Sequence, residues 1–383
     1  MEFEMRVKSI RNRLFKLYDS LKPISFLNLS AKSRGSIGSR RVIPENEQLE
    51  NPPKLYMDWP DNVSKPFVGL VKNEAKLKNN ANWPKFERFL KVNNIPYEEY
   101  EINKSDFIKE GKKYDIVVWR TETSYAKHWE AADKVEIIQN HLGKMILPTC
   151  ESLWMDEDKV REQYLFEINN LPAIKTFISH SKDEVMHYIE DCEYPFISKD
   201  KTCAGSDGVH LIKNKRQAKA LCNKIFSSGQ KTNESYARQK DYVCFQEFVP
   251  NYGFDLRIIM IGNSYFGYYR YPNKGDYKAS GSGIIEKKLL PQDVMELAKK
   301  ARECLPKSYL LAVDFLQDKR DENYYIIETS IFIGIESCEQ LMINGVPGRY
   351  TEKDGVFIFE PGRFWLQELM MQELMKEWIV KQS

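Results

Sequence analysis

From Lys65 onward, short apolar runs recur between segments whose apolar residues follow a helical period. PFVGLV (66–71), YDIVVW (114–119) and KMILP (144–148) are continuous apolar runs of strand length, and a further strand falls near 97–101. The stretches from Trp83 to about Asn94 and from about His128 to Leu142 have helical spacing. Strands separated by helices predict a small open α/β sheet of about ninety residues. Beyond it the pattern predicts a helix over 156–167, a strand over 171–179 and a helix over 182–190. Two short β-type runs then flank the small-residue loop of YPFISKDKTCAGSDGVHLIKNK (194–215).

The second half reads mainly as antiparallel sheet. DYVCFQEFV (241–249) is an apolar strand with polar interruptions, and FDLRIIMIG (254–262) and SYFGYYRYP (264–272) meet at Gly262-Asn263, a hairpin turn signal. NKGDYKASGSG (273–283) reads as a flexible segment, followed by a helix from Gln292 to about Cys304. Strands YLLAVDFLQ (309–317) and NYYIIETS (323–330) enclose the charged turn DKRDE. A helix from Phe364 to about Val380 gathers Leu366, Leu369, Met370, Leu374 and Trp378 mostly on one face, a stripe that leaves room for a homodimer. The organisation expected is an extension and linker (1–60), an α/β unit (61–150), a larger unit (151–350) and a terminal helix (351–383).

Composition narrows the function. With 383 residues, 42% hydrophobic, the chain supports more than one packed unit. A net charge of +2 gives no general push toward nucleic acid. The charge is uneven, however: residues 1–44 hold ten Lys/Arg against three Asp/Glu. Residues 5–20 have the pattern of a basic amphipathic helix, suited either to an anionic membrane surface or to docking on the protein's own body. SAKSRGSIGSRR (30–41) reads as a linker. Seven cysteines without CxxC or CxxH spacing point to reduced thiols in the cytoplasm rather than disulfides or structural zinc. No apolar run reaches membrane-spanning length.

The chemistry concentrates in the second half. Lys199 closes an apolar run just before Ala204, Gly205, Ser206 and Gly208, a way to set backbone N–H groups and one cation around a polyphosphate. Asp314 and Glu328 each interrupt an apolar strand, and a carboxylate there is costly unless paired or on a cation. Adjacent antiparallel strands would put both on one face, suiting magnesium, while ion pairs with Arg257 or Arg270 are the alternative. Arg120, Thr121 and Glu122 follow a strand at its carboxyl end, where open α/β sheets hold ligands.

In order, these pieces resemble the ATP-grasp superfamily, nearest to RimK-type carboxylate–amine ligases, over roughly residues 150–340. Asp158-Lys159 followed by LPAIKTFISHS resembles the family's Asp-Lys helix and next strand, PFISKDKTCAGSDGVHLIKNKRQA its lysine and glycine loop, and FQEFV its adenine hinge. DLR, then GDY with Lys278, then AVDFL and IIETS, are similar to its following strand, mobile substrate loop and two metal strands. The resemblance implies an ATP-grasp fold of the α/β (α+β) class, binding ATP and Mg2+. It implies that Lys159 and Lys199 hold phosphates under the loop Ala204–Gly208. Gln246, Glu247, Phe248 and Val249 would form the adenine hinge, with Asp255 on a ribose or a basic partner. Asp314, Glu328 and Ser330 would carry metal, and Arg270 and Lys278 would balance the γ-phosphate and the attacking carboxylate.

Two departures stand out. Ser330 replaces the family's usual Asn, and Lys278-Ala279-Ser280-Gly281 replaces its Arg, Asn and glycine pair. The activity implied is ATP-dependent amide formation through an acylphosphate, with a small-molecule, glycan-acid or peptide acceptor. A phosphotransferase acting on a sugar or hydroxyl, or a nucleotide-holding module without turnover, stays open beside it.

Overall fold

The computed structural model describes residues 51–74, 81–122, 124–202, 208–232, 234, 236–334 and 337–383. The expected basic helix (5–20), the linker and the tip of the glycine loop lie outside them.

Four strands, β1 (Val68–Leu70), β2 (Tyr97–Glu99), β3 (Ile116–Val118) and β4 (Met145–Leu147), form an all-parallel sheet in the order β2-β1-β3-β4. β1 and β3 are buried throughout, as strands covered on both faces require. Helices α1 (Trp83–Val92), α2 (Phe107–Gly111) and α3 (Tyr125–Glu136) cross between them, α3 continuing as a π turn over Ile137–His141. After β4, the short helix α4 (Cys150–Met155) starts at Thr149, whose Oγ1 accepts from the Ser152 N–H at 3.2 Å.

The chain then turns sharply. Glu157 has φ 56°, and the Asp158 carboxylate accepts from the N–H groups of Val160 and Arg161 to open α5 (Lys159–Ile168). The helix expected over 156–167 therefore starts only at Lys159, after a turn through the left-handed Glu157 that separates it from α4.

Beyond α5 lies a small antiparallel sheet in the order β5-β10-β6-β7: β5 (Thr176–Ser179), β6 (Phe196–Lys199), β7 (Val209–Ile212) and β10 (Val243–Glu247). Helices α6 (Lys182–Asp191) and α7 (Lys215–Ile225) cover it, and a two-stranded ribbon, β8 (Gln230–Lys231) with β9 (Arg238–Gln239), precedes β10. Val185, Ile189, Phe196, Ala218, Cys222 and Phe245 are part of a core of its own.

The large sheet runs β15-β14-β11-β12-β17-β16, with β13 on β12 and β18 on β17. Its strands are β11 (Asp255–Ile261), β12 (Ser264–Tyr271), β13 (Ile284–Glu286), β14 (Leu311–Gln317), β15 (Tyr324–Ser330), β16 (Leu341–Ile343), β17 (Val346–Lys353) and β18 (Val356–Pro361). The predicted hairpin is present, with Gly262 at φ 52° in its turn. Helix α8 (Gln292–Cys304) packs on this sheet, as does α9 (Leu366–Gln382).

Two expectations change here. Residues 351–353 and 356–361 are strand, so the boundary expected at 350 falls inside β17. The apolar stripe of the last helix is also spent within the chain: Leu366, Leu369, Met370 and Leu374 are buried, Gln367 Nε2 donates to Asn82 Oδ1 at 2.7 Å, and Arg88 pairs with Glu368. Trp378 Nε1 donates to the Ser64 carbonyl at 3.0 Å. That face clamps the parallel-sheet unit and is not left over for a second copy. No helix among the described residues is long and apolar enough to cross a membrane.

Candidate active site

Register puts a row of charges on one face of the large sheet. Asp255 opposes Arg270 across β11 and β12, Arg257 opposes Asp314 across β11 and β14, and Asp314 opposes Glu328 across β14 and β15. Directly opposed residues of antiparallel strands share a face, so these five side chains rise together. Ser330, two residues on from Glu328, stands on the same face.

The row is bonded internally. Arg257 forks onto Asp314 with Nε–Oδ1 at 2.7 Å and a terminal nitrogen on Oδ2 at 2.8 Å. Arg270 reaches Asp314 Oδ2 at 2.6 Å and Asp255 Oδ1 at 2.5 Å. Burial works to raise the Asp314 carboxyl, but Arg257 and Arg270 outweigh it and bring it down to about 2. Asp255 is buried and pairs with Arg270, the basic partner of the two expected for it. The ion-pair alternative for Asp314 is thus realised with both arginines at once, whereas Glu328 pairs with Lys159.

Two buried lysines converge on β15 from different elements. Lys159, at the first turn of α5, sets Nζ 3.1 Å from Glu328 Oε1 and 3.9 Å from Glu157 Oε2. Burial opposes its charge, yet Glu328, Glu157 and Glu162 prevail and its pKa is raised. Lys199, at the end of β6, donates to the Ile327 carbonyl at 3.2 Å, and burial pulls its pKa down. An ammonium in that state is served by an anion.

A second row of acids lies beneath. Glu162, one turn past Lys159, accepts from both the N–H (2.9 Å) and Oγ1 (2.6 Å) of Thr329, and Asp156 Oδ1 accepts from the Ile331 N–H at 3.1 Å. These bonds seat α5 against β15. Burial raises all three acids, Asp156 to about 6, Glu157 to about 7, and Glu162 well above its ordinary value. Sequence reasoning passed over Asp156, Glu157 and Glu162; the available signal was three acids clustered around one lysine at the head of a helix.

The residues expected to form the hinge lie at and just after the end of β10. Gln246 is buried with Nε2 on Thr176 Oγ1 at 3.2 Å, the Glu247 N–H donates to the Lys175 carbonyl at 2.9 Å, and Glu247 Oε1 takes Arg320 at 2.6 Å. Val249 is buried, and its carbonyl accepts from Asn251 Nδ2 at 3.1 Å. Tyr277 meets the Phe248 ring edge-on with centroids 6.4 Å apart, and its hydroxyl lies 3.4 Å from the Val209 carbonyl. Lys278 therefore stands beside the glycine hairpin, close enough for its charge to depress His210, after burial as the main cause. The Gly208 carbonyl accepts from the Asp200 N–H at 2.8 Å and closes the hairpin base; Ala204, Gly205 and Ser206 lie outside the described residues.

Residues 156–346 match the model of the RimK-like ATP-grasp domain. This chain is an ATP-grasp protein of the RimK-like type. Its α/β fold agrees with that expected from the resemblance, and ATP is the nucleotide of such domains. A curated relative, the alpha-aminoadipate–LysW ligase LysX of Saccharolobus solfataricus, is 27% identical over 244 residues, covering 63% of this chain and 77% of the relative. The expectation of an ATP-dependent ligase accords with that relative. Among solved structures, D-cycloserine synthetase DcsG aligns over 82% of this chain and 99% of its own, with TM-score 0.55 and 14% identity. The D-alanine–D-alanine ligase of Bacillus anthracis aligns over 71% and 88%, with TM-score 0.51 and 14% identity. At such identities these two speak to the fold alone.

Proposed function

We propose that this ATP-grasp chain is a ligase that activates a carboxylate with ATP and couples it to an amine, with the residue roles given below. The observation that carries the reading is the convergence of Lys159 and Lys199 on β15 beside Glu328, with Asp314 directly opposite. Two buried cations at one strand make a seat for a polyphosphate. Lys159 and Lys199 hold the phosphates, the latter regaining a normal ammonium when an anion arrives. At the hinge, the Glu247 N–H and the Val249 carbonyl are already committed, so reading the purine edge falls to the Glu247 carbonyl and the Val249 N–H.

The donor set suits magnesium. A carboxylate offers about four lone-pair sites, and Asp314 spends three on arginines, so Oδ1 retains one. Glu328 adds a hard oxygen and Ser330 a hydroxyl on the same face. Magnesium bound there would offset phosphate charge. Arg270, fixed between two acids, and Lys278 stabilise charge where a carboxylate oxygen attacks the γ-phosphorus and ADP departs. The amine nitrogen then attacks the acyl carbon and phosphate leaves with the C–O electron pair. The Phe248–Tyr277 contact covers the cleft and restricts water during that interval.

The acceptor reading extends to a glycan acid or peptide, on the exposed Tyr277, since Tyr265, Phe266, Tyr268 and Tyr269 of the aromatic run expected to receive it are buried in the core. We place the enzyme in the cytoplasm, with residues 1–44 holding it to anionic lipid. Deleting them is expected to abolish co-sedimentation with anionic vesicles and to spare ATP affinity; unchanged sedimentation removes the tether. One observation favours a nucleotide-holding module instead, namely Ser330 in the place of the family's Asn.

The test is hydroxylamine trapping with ATP and magnesium over a panel of amino, dicarboxylic and uronic acids. ADP release with hydroxamate supports ligation, and phosphorylated product supports phosphotransfer. Nucleotide binding without turnover supports the module, and absence of nucleotide uptake in calorimetry removes all three.

A further inference from the structure

Arg120 follows β3 at the carboxyl edge of the parallel sheet, where open α/β sheets hold their ligands. Its guanidinium lies over the Phe332 ring, 4.4 Å from the centroid, and one terminal nitrogen bonds the Thr121 carbonyl. Phe332 comes two residues after Ser330, so the group stands beside the exit of the strand that carries Glu328 and Ser330. Arg161, Arg257 and Arg270 each hold a carboxylate. Among the described residues Arg120 is bonded to none, and its buried Nε–H has no acceptor. Asp156 senses its charge but commits Oδ1 to the Ile331 N–H. The side chain as a whole is only half-buried, so its outer nitrogens are reachable.

A stacked, rotationally fixed guanidinium that no carboxylate among the described residues bonds is a fork matched to a planar carboxylate, and an unmet buried donor is costly until such a partner arrives. We propose that Arg120 is the docking point of the acid substrate, its fork taking a carboxylate of the molecule to be activated. This rests on the ligase reading above. The phosphates are provided for by Lys159 and Lys199 and the transferring group by Arg270 and Lys278. Arg120 answers for the remaining charge, that of the incoming acid, and holds it against the end of β15.

The experiment measures hydroxamate formation by wild type, Arg120→Met and Arg120→Lys with acetate, succinate, glutarate, glutamate and galacturonate. Arg120→Met is expected to raise KM for a turned-over acid about 10- to 100-fold while KM for ATP and kcat move less than about threefold. Arg120→Lys recovers part of this, since a point charge replaces only half of a fork. Loss confined to dicarboxylates assigns the non-reacting carboxylate to Arg120, and equal loss with acetate assigns the reacting one. An unchanged acid KM, or an equal rise for ATP, overturns the proposal. Should wild type form no hydroxamate, the ligase reading fails, and the same acids are scored by thermal shift without ATP. A shift in wild type that Arg120→Met lacks sustains the subsite; no shift in either, or a shift in both, overturns it.

Discussion

Replacing Asp314 by Asn removes the charge on which two buried guanidinium groups depend. Arg270 keeps Asp255, but Arg257 loses the only carboxylate among the described residues that it forks onto. The depression of the carboxyl from 3.8 to about 2 corresponds to roughly 2 kcal/mol of preference for the ionised form in the folded protein. Stranding a buried cation costs about 3–5 kcal/mol in comparable sites. Asp314→Asn is therefore expected to lose about 2–5 kcal/mol at pH 7, read from the urea midpoint. Because the folded carboxyl lies below its unfolded value, its contribution is complete above about pH 4 and disappears as pH falls toward 2. The gap between wild type and variant should narrow by about 2 kcal/mol over that interval. Adding Arg257→Met to Asp314→Asn should recover part of the loss, since no stranded charge remains at that position. A variant as stable as wild type at pH 7, or a gap independent of pH between 4 and 2, would refute the assignment of this network.

Lys199→Met should leave the nucleotide-free protein at least as stable, because a buried ammonium with depressed pKa is replaced by an apolar chain, and should weaken ATP about 10- to 100-fold in calorimetry; unaltered affinity counts against its phosphate role. Tyr277→Ala removes the contact with Phe248 and the approach to Val209, and the ratio of ADP released to amide formed is expected to rise several-fold; an unchanged ratio would mean that the segment does not exclude water. For Glu157 the sign is opposite to that of Asp314: a folded pKa raised to about 7 gives stability that falls as pH climbs from about 4.5 to 7, so Glu157→Gln should be more stable than wild type at pH 8 by about 1–3 kcal/mol. Thermal melts across pH decide this, and a variant less stable at pH 8 contradicts it.

The parts of the fold that could be read from the chain are those where local chemistry and tertiary need agree. Gly262-Asn263 between two apolar runs gave the central hairpin, and the carboxylates inside β14 and β15 gave the shared face, because a period of two fixes which residues face together. The row's internal pairing was less legible. Nothing in AVDFL says that Asp314 is claimed by two arginines from β11 and β12, since that depends on register across three strands. β17 and β18 were missed although Asn344-Gly345 and Asp354-Gly355 mark their turns, with Asn344 and Asp354 at φ 52° and both glycines at φ 80°. Those strands are half-polar and partly exposed, so hydrophobicity alone hid them. Helix α7 begins at the end of the glycine hairpin, where Asn214 caps Gln217, and its basic surface obscured the buried Ala218, Cys222 and Ile225. The left-handed Glu157 broke an otherwise helical pattern for a tertiary reason: the turn sets α5 against β15 through Glu162 and Thr329.

The clasp of Glu368, Gln367 and Trp378 on Arg88, Asn82 and Ser64 has a consequence for synthesis. During translation the parallel-sheet unit leaves the ribosome long before the helix that covers it, and it must wait with one flank bare until that helix has been made. A premature stop near residue 365 would thus injure a unit made well before it, exposing apolar surface to chaperones far in sequence from the lesion.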